Sequence, residues 1–199
     1  MSDRCVALID ATASHTDAVR AAPTIVACLA DAGLIVPTLS ADCVLGGNGY
    51  PAGPRCAEQF NVAAGRGRGA GGGDGFWELV TSGVEVHAEP WVNLLGFAQV
   101  EHASCPRCAH ELGDRFVDAV SGQVDTFLED WHLPQITCPA CGVESSFHEW
   151  RTEPLLGFVH LAVVCWNWPP FDDPRWRVDV VRMLHEHTGR TFATTFGRL

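Results

Sequence analysis

The sequence contains no lysine: its 13 strongly basic side chains are all arginine. That absence removes Schiff-base catalysis, pyridoxal attachment and the phosphate-gripping lysine of a P-loop. Tyrosine is almost absent too, with Tyr50 alone. Long hydrophobic runs are missing. The longest uncharged stretch, residues 154–171, has 18 positions, and His160, Asn167, Pro169 and Pro170 interrupt it. It therefore falls short of the roughly 20 apolar residues of a membrane-spanning helix, and no membrane partner is expected. The first ten residues lack the basic leader and apolar core of a secretory signal. Positive charge is also scarce. With 24 acidic groups the formal charge is -11, which argues against unaided binding to nucleic acid or anionic lipid.

What is present is enough for one globular core and a small appendage: 199 residues, 47% of them hydrophobic. The nine cysteines are an odd number, and four of them stand in two CxxC pairs. That usage points to a reducing cytoplasm rather than a disulfide scaffold. Abundant Ala, Gly, Arg and Pro without lysine points to a GC-rich bacterial genome.

Residues 4–9, with Cys5, Val6, Leu8 and Ile9, read as a first strand. A helix is expected from Pro23 to Ala32, with Pro23 in its first turn, Ile25, Val26 and Leu29 on its buried face and Gly33 closing it. Residues 65–75, GRGRGAGGGDG, read as a flexible loop. Alternation of Val84, Val86 and Ala88 with charged neighbours marks a half-wet strand. Residues 92–100, including Val92, Leu94, Leu95, Phe97 and Val100, suggest a second strand paired with it as a hairpin-like sheet. Near the end, Asp173 and Pro174 are placed to start a helix with Trp176, Val180, Val181 and Leu184 on one face and Gly189 at its stop. Residues 191–196 would return as a last strand. The order predicts an α+β fold, a small sheet packed by two or more helices.

The chemically informative feature lies between these ends. Cys105 and Cys108 in CPRC, and Cys138 and Cys141 in CPACG, form two CxxC pairs separated by residues 109–137. Two such turns supply the four thiolates of a tetrahedral zinc shell. Four cysteines leave no coordination position for water or substrate, so the expected cofactor is a structural Zn(2+). Between the pairs, Phe116, Val120, Val124, Phe127 and Trp131 recur at helical spacing, predicting a helix over residues 114–130 weakened at Gly122. Asp118, Asp125 and Glu129 fall on its other face. They form either a solvated face or a docking surface for a basic partner. The division expected is residues 1–100 and 154–199 as the two parts of the core, with residues 101–153 as a zinc-binding insertion.

The CPRC and CPACG segments resemble zinc-ribbon knuckles, a likeness that covers about 50 residues. More widely, Gly47, Gly49, Tyr50, Gly53 and Pro54 in a GxGYxxGP pattern, the two knuckles, and WNWPP at Trp166–Pro170 resemble a family of small bacterial proteins of unknown function. Some members carry the name sugar ABC transporter ATPase. This sequence lacks GxxxxGK[ST] and gives that name no support.

Other readings stay open beside the metal site. His102, His110 and His148 could replace or support a cysteine ligand. Trp166, Trp168 and Tyr50 could belong to a core or to an exposed binding platform. The turn over residues 46–53 could form an anion-binding nest of amides. The function expected is a zinc-binding protein that binds another protein as partner or adaptor. One alternative is a hydrolase or transferase using Cys165, His160 or Asp172 in a core pocket. Another is a nucleic-acid-binding ribbon, which would need Arg175, Arg182, Arg190 and Arg198 on one face.

Overall fold

A computed structural model describes residues 3–45, 47–61, 75–94, 100–153 and 155–198. The glycines and arginines of residues 65–74, and Leu95 and Phe97 of the expected second strand, lie outside the described residues.

The apolar segment LAVVCW forms strand β9 (Leu161–Trp166), buried at every position. A run apolar on both faces is suited to an inner strand. Its two neighbours are β1 (Arg4–Asp10) and β2 (Val84–His87), and β10 (Ala193–Arg198) adds to the far side of β1. The result is a four-stranded antiparallel sheet of order β10-β1-β9-β2. Successive side chains go to opposite faces. Cys5, Ala7 and Ile9 join Ala162, Val164 and Trp166 in one buried cluster with Val44. Val6, Leu8, Val163 and Cys165 join a second cluster that also holds Ile25, Leu29 and Leu184. Those last three belong to helices α1 (His15–Asp31) and α5 (Val180–Thr188).

Two expected helix starts move. Helix α1 begins eight residues before Pro23, because Ser14 caps it and Asp17 closes a reciprocal capping box. Pro23 sits inside this helix at an exposed position, where the carbonyl it leaves unpaired belongs to the exposed Val19. Helix α5 starts at Asp179, whose side chain accepts from the Arg182 N–H, and not at Asp173. The Asp173 carboxylate instead holds the Arg175 backbone and guanidinium. Phe60 and Trp176 form a β-bridge, with Asn61 and Arg177 N–H groups donating across it, and this holds Trp176 outside the helix. The expected hairpin is absent among the described residues: β2 pairs with β9, and the short β3 (Trp91–Val92) pairs with β8 (Phe158–Val159).

Between β3 and β8 lie two further antiparallel pairs. Strand β4 (His102–Ser104) meets β7 (Arg151–Glu153), and β5 (Gln135–Thr137) meets β6 (Glu144–Ser146). The single helix expected over residues 114–130 is two, α3 (Asp114–Ser121) and α4 (Val124–Asp130). The break falls at Gly122 and Gln123. The Gln123 side chain donates to Gln135 O and accepts from Gln135 N–H, stitching the break to β5. Phe116, Val120 and Phe127 from the helices, with Ile136, Phe147, Trp150 and Phe158, form a third buried cluster. Trp131 departs from that face. It caps α4 in the left-handed region at φ 64°, and its ring lies 4.2 Å from that of His15 at the start of α1.

Candidate metal centre

The two knuckles are built alike from backbone hydrogen bonds. The Cys105 N–H donates to His110 O at 3.0 Å and the Ala109 N–H to Cys105 O at 3.0 Å. In the second, the Cys138 N–H donates to Val143 O at 3.0 Å and the Gly142 N–H to Cys138 O at 2.8 Å. Each turn requires a left-handed residue after its second cysteine: Ala109 at φ 56° and Gly142 at φ 70°. The first knuckle is closed by a bridge between Ser104 and Glu111, the second by the β5–β6 pair.

These turns bring Cys105, Cys108, Cys138 and Cys141 together, with all four sulfurs within 4.8 Å of one another. The Cys105–Cys141 sulfur separation is 3.9 Å and the Cys108–Cys138 separation 3.7 Å. A tetrahedral shell with metal–sulfur bonds of about 2.3 Å has sulfur edges of about 3.8 Å, whereas a disulfide needs about 2.05 Å. The cluster fits a metal ion and does not fit two disulfides. Cys105 and Cys138 are buried beneath the site, and Cys108 and Cys141 face outward.

Backbone groups support charge on the sulfurs. The Arg107 N–H lies 3.4 Å from Cys105 Sγ. Desolvation pushes the Cys138 thiol up, but backbone hydrogen bonds at Cys141 and Ala140 and the sulfurs of Cys105 and Cys141 bring it down to about 6. Cys108 takes the opposite place. A backbone hydrogen bond at His110 favours its thiolate, yet desolvation and the three neighbouring sulfurs push it up to about 12. Four close thiols share protons, and a bound cation would displace them.

Histidine does not complete this set. Among the described residues the four cysteines are the one cluster of three or more side chains able to hold a metal ion. His148 instead places Nε2 at 2.7 Å from Phe158 O, and His110 contributes its carbonyl to the first knuckle. The other five cysteines are buried and free. Burial pushes Cys5 and Cys56 up to about 11, raises Cys28 and Cys43, and lifts Cys165 well above the ordinary thiol value. None has the lowered value of an activated nucleophile.

The other sequence candidates separate in space. Cys165 lies in the buried cluster beneath α1, His160 stacks near Trp131 and Phe127, and Asp172 lines a cavity beside β10. The three are not brought together as a pocket. Trp166 and Trp168 are 9% and 1% exposed, which corrects their reading as a surface platform. The indole of Trp166 donates to Glu85, and that of Trp168 to Ser82 O within a group of rings formed with Phe76 and Trp176. Tyr50 is half-buried, its backbone paired with Val84. The amides of Gly49, Tyr50 and Gly53 donate to Ser40, Val84 and Leu34 carbonyls, so they form no anion nest. Asp118, Asp125 and Glu129 are exposed on α3 and α4. Arg182 faces Glu186 and Arg190 is tied to Asp10, so two of the four arginines named above are engaged by carboxylates of this chain.

Sequence reasoning overlooked the role of Asn167. At φ 59° it turns the chain after β9, and its amide bonds to Asp3 and Thr81 while its oxygen accepts from the Arg4 N–H. An asparagine between two tryptophans was its only signal. Comparison with family models, curated proteins and solved structures found no match. No described helix is long and apolar enough to cross a membrane.

Proposed function

We propose that this chain is a protein-binding or adaptor protein carrying a structural zinc ion on Cys105, Cys108, Cys138 and Cys141. The observation that carries the metal reading is the set of sulfur separations, 3.7 and 3.9 Å, which match the edges of a thiolate tetrahedron. Zinc follows from the donor set, since four thiolates at tetrahedral angles suit it and leave no open position for catalysis. The ion would fix both knuckles beneath the aromatic cluster of Phe116, Phe127 and Phe147. On this reading residues 101–153 are a module inserted into an α+β core of residues 1–100 and 154–199, whose helices cover one face of the sheet. Nine free thiols suit a reducing bacterial cytoplasm.

The protein partner would meet α3 and α4, where Asp118, Asp125 and Glu129 are exposed together with Leu128 and Trp131. An acidic surface with apolar side chains among its charges complements a basic partner. The test is elemental mass spectrometry on protein purified without added metal, beside a Cys138→Ser variant. One zinc per chain, lost in the variant, is the expected result. Folded protein without metal, or with metal unaffected by Cys138→Ser, overturns the zinc reading.

A further inference from the structure

Four rings from distant parts of the chain meet where the end of α4 lies on the start of α1. The Trp131 ring is 4.2 Å from that of His15 and 5.9 Å from that of His160, and the two imidazoles are 6.4 Å apart. Phe127 closes the group at 5.6 Å from His160. His15 is the first residue of α1 and His160 lies between β8 and β9, whereas Phe127 and Trp131 come from the segment between the two knuckles. Trp131 stands in the left-handed region at φ 64°, a conformation that a bulky residue rarely adopts.

The two imidazoles are incompletely satisfied. Neither His15 Nδ1 nor His160 Nδ1 has a hydrogen-bond partner, and both atoms are buried. Buried polar atoms are nearly always paired, so two unpaired nitrogens on neighbouring rings are a specific feature of this contact. A proton added at either Nδ1 would find no acceptor. The surrounding charges do not supply one. Burial, and then the charges of His15 and His148, hold His160 below the ordinary histidine value. His148 comes from the short turn Phe147–Glu149. Asp10 stands opposite Leu161 in register, next to His160, but its carboxylate is held by Arg190 and Thr12. Asp17, two residues beyond His15, is taken up by Ser14 and Arg20. Glu129, Asp130 and His132, beside Trp131 in the sequence, are exposed.

We propose that this contact is a pH-sensitive latch between α4 and α1, closed while His15 and His160 are neutral and released when they take up protons. Two imidazolium rings would then stand side by side, like charges with no acceptor for either Nδ1. The open form, with both rings in water, binds protons more readily, so falling pH shifts the balance toward it. Release frees Trp131 and the end of α4 while the main sheet stays paired. The latch needs no metal and stands independently of the function proposed above.

The test is fluorine NMR of the full chain labelled with 5-fluorotryptophan, with the Trp131 resonance assigned from a Trp131→Phe variant. The change of that resonance between light and heavy water reads solvent contact at the ring. In the wild type this isotope effect should grow as pH falls from 8 to 5, with a midpoint below about 6.5, the ordinary histidine value. In the double variant of His15→Gln and His160→Gln, which presents no imidazolium to the ring, it should stay constant over the same range. His15→Gln alone, at the exposed end of a helix, should remove about half of the change or more, since one of two protons no longer drives release. A Trp131 signal whose solvent contact is the same at pH 8 and pH 5 in the wild type overturns the proposal. So does an equal change in the wild type and in the variants, which would place the responsible proton uptake outside this pair.

Discussion

Ala109 and Gly142 occupy equivalent places in the two knuckles, each in the left-handed region and each donating its N–H to the first cysteine of its own turn. Glycine adopts that conformation freely, whereas a Cβ costs about 1 kcal/mol there. A Cβ on Gly142 would have nothing within 4 Å, so the cost of Gly142→Ala is backbone strain alone. We expect Gly142→Ala to lose about 1 kcal/mol and Ala109→Gly to gain a similar amount. Urea unfolding of the two variants checks this, and opposite signs are the required outcome.

Gly53 presents a different glycine requirement. A Cβ at this position would lie 2.3 Å from Gly33 O and 2.7 Å from Ile35 N, both backbone atoms. The Gly53 N–H donates to Leu34 O at 2.8 Å across the same approach. Backbone held by reciprocal hydrogen bonds cannot step aside as a side chain can. Gly53→Ala should therefore cost about 2 kcal/mol or more, exceeding Gly142→Ala. Equal unfolding midpoints for the two variants would show that this crossing is softer than its distances imply.

The end of β1 is tied to the C-terminal segment by one ion pair. The Asp10 carboxylate is 1% exposed, and Arg190 Nε reaches it at 2.6 Å. Thr12 donates to the same carboxylate through its N–H and Oγ1. Removing the cation leaves a buried charge with only neutral donors. Arg190→Met should destabilise the protein by about 3 kcal/mol. The double variant Arg190→Met with Asp10→Asn should recover part of that loss, which denaturant unfolding of the series measures.

The four-cysteine cluster was legible because its geometry is local: two cysteines three apart define a turn, and two turns define a set of four sulfurs. Gly189 was legible for the same reason, ending α5 in the left-handed region at φ 67°. Strand pairing was not, because β9 is chosen as a partner by β1 and β2 across long separations. The N-cap role expected of Asp173 failed because Arg175 and the Phe60–Trp176 bridge compete for that segment. The cavity beside β10 was invisible, since Arg4 and Arg198 become neighbours only through strand register.

Acid sensitivity follows from the histidines that fold into the protein neutral. Burial lowers His148, partly offset by its hydrogen bond at Phe158 O. His87 is lowered by burial against the opposing pull of Glu85 and Glu89, and His160 by burial and then by His15 and His148. In the unfolded chain each ring takes its proton near 6.5. The unfolded state then binds more protons than the folded state, so stability is full above that pH and declines as pH falls through it. Thiol protonation at the metal centre would add its own acid loss, so the comparison must cancel it. His148→Gln keeps a donor facing Phe158 O and does not titrate. The stability of wild type relative to His148→Gln, from urea midpoints between pH 8 and pH 5, should be constant at the alkaline end and fall below about 6.5. Parallel curves over the whole range would exclude His148 as a source of the acid loss.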